Sequence, residues 1–124
     1  WDDEVNIYVS ARDIKGIYKF TASGTKTTFA TLNVSPNYIV FDKNKNMIVG
    51  TSNGYVLIQI SPDGTQKTIA GDGVKGQEYY DGEPGNPLSA KVGATYGVAA
   101  RTDGCKTMYV AGAVNYLIRR ITVK

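Results

Sequence analysis

Short apolar runs recur along the chain, each broken by a polar turn, and inside several of them apolar and polar positions alternate. Tyr18-Lys19-Phe20 and Ile58-Gln59-Ile60 change character at every residue, the period of a half-buried β-strand. No stretch long enough for an amphipathic helix shows a 3.6-residue period. Four strands are predicted in the best-defined portion: Tyr38–Phe41, Met47–Gly50, Tyr55–Ile60 and Gln66–Ala70. The segments between them are Lys-Asn-Lys-Asn, Ser-Asn-Gly and Ser-Pro-Asp-Gly. Asn and Gly tolerate positive φ, and Pro presets a turn's first corner, so each is a turn.

The pattern repeats. Asn6-Ile7-Tyr8-Val9 matches Asn46-Met47-Ile48-Val49 and Thr107-Met108-Tyr109-Val110. The second apolar runs are Gly16–Phe20, Val56–Ile60 and Leu117–Ile121. They are followed in two copies by Gly24-Thr25-x-x-Thr28-Phe29-Ala30 and Gly64-Thr65-x-x-Thr68-Ile69-Ala70. Between the first two copies the offset stays at 40 residues at every anchor: 6 to 46, 20 to 60, 24 to 64 and 28 to 68. The third copy is offset by 61, from 47 to 108 and from 60 to 121. Its leading strand, Thr95 to Ala100, aligns with Asn37 to Asp42 at an offset of 58, which leaves three extra residues in the Arg101–Lys106 turn. Four-stranded units of about 40 residues are the sequence signature of a β-propeller blade.

Composition narrows the chemistry. The 124 residues make about one domain, and 42% of them are hydrophobic, enough for a packed core. There is no histidine, which removes Ser-His-Asp and Cys-His catalysis and most zinc or copper sites within this chain. Cys105 is the single cysteine, so no intrachain disulfide forms, and its setting beside Gly104 suits a small semi-buried side chain. The net charge of +3 comes from scattered lysines and arginines, so no nucleic-acid footprint is expected. No apolar run is long enough to span a membrane as a helix, and no signal peptide is seen. The chain opens on Trp1 rather than Met, so a removed native start or a piece of something longer is expected.

At this point the sequence resembles the NHL-repeat family of β-propellers. The most specific residues are Thr68-Ile69-Ala70-Gly71-Asp72-Gly73-x-x-Gly76, Asp81-Gly82 and Leu88-x-Ala90. After them come Tyr96-Gly97-Val98-Ala99, Met108-Tyr109-Val110-Ala111 and Asn115-x-x-Ile118-Arg119-Arg120-Ile121. Thr95 stands where the family has proline, Tyr116 where it has histidine and Leu117 where it has arginine. The resemblance implies an all-β fold of four-stranded antiparallel blades, with about two and a half to three blades here out of roughly six. The approximate blades are 1–33, 34–73 and 91–124, with an inter-blade insertion at 71–94. Such an arc leaves two apolar blade faces to be covered by further blades of the same chain or by a second copy.

In a propeller of this kind the 71–94 insertion shares one rim with the loops at 10–15, 51–54 and 112–116. That rim gathers Arg12, Asp13, Asn53, Asp72, Tyr79, Tyr80, Asp81, Asn115 and Tyr116. For the glycine-rich 70–86 segment four readings compete. It lacks the GxxxxGK[ST] pattern and the following helix of a phosphate loop. Asp72, Asp81 and Glu83 are calcium-type ligands without EF-hand spacing. Tyr79 and Tyr80 could stack on a sugar or an apolar side chain. Ahead of these stands a structural inter-blade loop whose glycines permit sharp turns. Arg119 and Arg120 read as strand residues, one on solvent and one with its stem against a neighbouring blade.

The leading expectation is a non-enzymatic binding or scaffold module, recognising a glycan or a protein through one rim. No metal, cofactor or nucleic acid is expected. The resemblance, through its long AGDG-type loop, implies a bacterial protein that is extracellular or on the cell surface. The alternative is a fragment of a propeller enzyme, a metal-dependent lyase or lactone hydrolase, whose catalytic residues lie on blades outside this chain. The inner strands here offer no acid apart from Asp42 at a strand end.

Overall fold

The computed structural model describes residues 4–75, 85–100, 107–113 and 116–122. Among these, ten strands form three antiparallel sheets, joined in simple meander order. The first sheet holds β1 (Ile7–Ala11), β2 (Gly16–Phe20) and β3 (Lys26–Thr31). The second is a complete four-stranded blade of β4 (Pro36–Phe41), β5 (Met47–Thr51), β6 (Leu57–Ile60) and β7 (Gln66–Ala70). The third holds β8 (Thr95–Ala100), β9 (Thr107–Gly112) and β10 (Leu117–Thr122). The only helical piece among the described residues is one 3-10 turn, Pro87–Ser89, entered through Asn86, whose side chain accepts from the Leu88 amide. The fold is all-β, built of β-propeller blades.

The sheets stack face to face, and each boundary has its own core. Between the first and second sheets lie Ile17, Ala30, Leu32, Met47, Val49, Ile58 and Ile60. Tyr8 crosses this boundary with its ring edge-on to both Phe29 and Phe41, centroids 5.1 Å away in each case, a favoured aromatic geometry. Between the second and third sheets lie Ile48, Leu57, Ile69, Val92, Val98, Met108, Val110 and Ile121. Strand alternation explains the division. On β5, Met47 and Val49 face the first sheet while Ile48 faces the third, so the middle blade is buried on both sides.

Two sequence expectations shift. β6 begins at Leu57, not Tyr55, because Tyr55 turns through φ 53° and cannot continue a strand. The third leading strand is displaced by one residue: Pro36 pairs with Thr51 and Thr95 pairs with Gly112, so Thr95 corresponds to Pro36 at an offset of 59, not to Asn37. Both strands carry a bulge just after this position, and the extra residue leaves side-chain similarity one place out of step with the backbone. The turn that follows β8 is therefore two residues longer than its counterpart, not three.

β4 and β8 are the innermost strands described. They pack on each other, β8 also packs on β5, and β1 packs on β4. Among the described residues no helix is long and apolar enough to cross a membrane.

Candidate functional site

Antiparallel strands return the chain to the same end of each sheet, so the turns β1–β2, β5–β6 and β9–β10 lie at one rim with the links between sheets. The middle turn is the best anchored. The Asn53 side-chain oxygen accepts from the Ser35 amide at 2.9 Å, and the Ser52 amide donates to the Ser35 carbonyl at 3.1 Å. Thr51 Oγ1 donates to the Val56 carbonyl and accepts from the Val56 amide, which closes the turn on itself. A Cβ at Gly54 would lie 2.8 Å from Val34, so the link between the first two sheets lies directly on this glycine.

On the other flank the long insertion leaves β7 through Gly71, at φ 90°, where a Cβ would fall 2.7 Å from Val92. The Gly71 amide donates to the Pro87 carbonyl and the Asp72 amide to the Ala90 carbonyl. The insertion thus starts and ends side by side, and Gly73 lies beside Gly54 and Val56. Asp72 is therefore a structural group first. Its carboxylate pairs with Lys91 and also accepts from the Val74 amide at 3.0 Å. The Lys91 ammonium holds the Asp72 pKa below the usual carboxylate range. Sequence reading missed Lys91, because nothing local signals a pair 19 residues apart.

Asn53 and Asp72 therefore belong to one continuous patch, formed by the middle turn and the start of the insertion. Arg12 is exposed in the β1–β2 turn, where its carbonyl accepts from the Lys15 amide, and Asp13 beside it is exposed too. Tyr116 is 91% exposed in the β9–β10 connection. Tyr79, Tyr80, Asp81, Glu83 and Asn115 lie outside the described residues, as does Cys105.

One further regularity joins the three turns. Lys15, Tyr55 and Tyr116 occupy the same repeat position and have φ of 52°, 53° and 52°. Left-handed backbone is uncommon for residues other than glycine, and here it recurs in all three blades. The offsets of 40 and 61 align these residues in the sequence, but only the backbone shows that they share one bend.

Away from the rim, an open groove of about 310 Å³ runs between β7 and the returning insertion, lined by Lys67, Thr68, Ile69, Asn86, Pro87 and Leu88. None of the predicted site residues lines it. Asp42 is engaged locally: one carboxylate oxygen accepts from the Asn44 and Asn46 amides and the other from the Asn46 side chain. Among the described residues no three of His, Cys, Asp and Glu come together as a metal site.

No family model and no curated protein matches the chain. Solved structures do. A protein of unknown function from Bacteroides thetaiotaomicron superposes with a TM-score of 0.79 at 26% identity, over 96% of this chain and 32% of its own. Virginiamycin B lyase from Staphylococcus aureus gives 0.58 at 11% identity, over 98% of this chain and 39% of the enzyme. A streptogramin B lyase gives 0.52 at 15% identity, over 98% and 52%. The chain thus spans about a third of the first protein and between 39% and 52% of the two lyases.

Proposed function

We propose that this chain is part of a non-enzymatic β-propeller binding module of the NHL type, extracellular or on a bacterial cell surface, which recognises a glycan or a protein through the rim of Arg12, Asn53 and Tyr116. The observation that carries this reading is Tyr116: an aromatic side chain 91% exposed, fixed on a left-handed bend between two paired strands. Full exposure of a tyrosine ring costs hydration free energy, and stacking on a sugar or an apolar side chain recovers it. Rigid strands under short loops are a common platform for recognition. Tyr79 and Tyr80, on the insertion that starts beside Asn53, belong to the same proposal.

The test is glycan-array and pull-down binding by the polypeptide as its host makes it. Tyr116→Ala and the pair Tyr79→Ala, Tyr80→Ala are each expected to weaken capture at least about tenfold, the scale of a binding anchor worth over 1 kcal/mol. Capture unchanged in all of them overturns the rim assignment. Turnover of a small-molecule substrate with a stoichiometric channel metal would replace the binding reading by the lyase or lactone hydrolase alternative.

A further inference from the structure

The repeat provides an internal standard for what each strand position meets in a complete blade. On the middle sheet Met47 and Val49 are 0% exposed, buried against the first sheet. Their counterparts 40 residues earlier, Ile7 and Val9, are 58% and 43% exposed. On the opposite face Ile48 and Leu57 are 1% and 0% exposed, buried against the third sheet. Their counterparts 61 residues later, Tyr109 and Ile118, are 42% and 78% exposed. The same positions keep their apolar character at both ends of the stack, although nothing described covers them. Each end presents one half of a boundary that the molecule itself displays twice in full.

We infer that both end faces are seats for further blades of the same polypeptide. The face of Ile7 and Val9 takes a blade of the kind the first sheet offers to Met47 and Val49. The face of Tyr109 and Ile118 takes one of the kind the third sheet offers to Ile48 and Leu57. A second copy of this chain fits less well, and β1 shows why. Its counterpart β5 is hydrogen-bonded on both sides, by β4 and β6, whereas β1 pairs with β2 alone. A copy docked end to end covers the two apolar faces but brings no strand for that edge. The backbone ahead of β1 already has the turn for one: Val5 has φ 61°, and Lys45, in the turn that feeds β4 into β5, has φ 62°. A strand of the same chain, entering ahead of Val5 and antiparallel to β1, fills the edge as β4 does for β5. The length of the Bacteroides protein agrees, since this chain covers only 32% of it.

Single cysteines read out the occupant in the natural polypeptide, with Cys105→Ser as background. Val9→Cys and Ile118→Cys probe the two faces, and Ala22→Cys, in the exposed β2–β3 turn, serves as control. Maleimide labelling at both faces is expected to be at least about tenfold slower than at the control, because it requires local opening, and to be independent of protein concentration in a particle of monomeric mass. Labelling as fast as the control at either face overturns the inference. So does protection that disappears on dilution together with a dimeric mass, which assigns the faces to a second copy. If a variant fails to fold by circular dichroism, Ile7→Cys or Tyr109→Cys replaces it on the same face.

Discussion

Asn37 donates its side-chain amide to the Thr95 carbonyl at 2.7 Å, across the boundary between the second and third sheets. Ser10 makes the same kind of bond one boundary earlier, its hydroxyl donating to the Asn37 carbonyl at 3.3 Å. Both bonds tie neighbouring blades together at the innermost strands. Asn37→Ala leaves the Thr95 carbonyl, on a residue 0% exposed, without that donor. The loss expected in urea unfolding is about 1–3 kcal/mol. Asn37→Asp, which sets an acceptor against an acceptor, is expected to cost more.

Gly50 faces the same threonine. A Cβ there would lie 2.5 Å from Thr95 Cγ2 and 2.9 Å from its Cβ. Gly50→Ala is expected to destabilise by about 1–3 kcal/mol through overpacking. Gly97→Ala is the control: its Cβ meets only Ala111, at 3.7 Å, and a shift in thermal midpoint close to zero is expected.

Thr95 also buries a hydroxyl that has no hydrogen-bond partner among the described residues. Thr95→Val keeps the shape and removes the desolvated group, so unfolding free energy should rise by about 1 kcal/mol. A fall on that substitution would show that the hydroxyl has a partner after all.

The Asp72–Lys91 pair gives stability a definite pH dependence. Asp72 has a folded pKa lowered chiefly by the Lys91 hydrogen bond, so the folded protein holds its proton less tightly than the unfolded chain. The contribution is present above the unfolded pKa and is lost as pH falls through the folded value. Both groups are partly exposed, so it belongs to the range of about 0–1 kcal/mol and weakens with salt. Asp72→Asn should lower stability at pH 7 and bring the two proteins together in strong acid.

Lys15 is an exposed lysine at φ 52°. Lys15→Gly removes the Cβ clash of left-handed backbone at some cost in chain entropy. A net gain of about 0.5–1 kcal/mol is expected in denaturant titration, with the Leu32 amide still bonded to the residue 15 carbonyl.

The architecture was legible because it is written twice in one register: a 40-residue offset held from Asn6 to Thr68 leaves little choice but repeated strand units. Alternation also assigned Arg119 and Arg120 to opposite faces, and Arg120 is the more exposed. What escaped was set by backbone or by distant partners. The bulge after Thr95 moved a strand by one residue, Tyr55 left β6 by turning left-handed, and Lys91 reached Asp72 from the far end of the insertion. At the candidate site the loops could be placed on one rim from the repeat, but which of their side chains are committed to holding the fold could not. Asn53 and Asp72 both prove to be so committed.

The shared bend at Lys15, Tyr55 and Tyr116 has a consequence for how such a surface changes over time. One backbone geometry there carries an ammonium, a half-buried ring and an exposed ring. The position therefore behaves as a socket: its shape comes from the flanking strands, and its occupant is interchangeable. A lineage can rewrite what the rim touches, one blade at a time, without relearning how to fold.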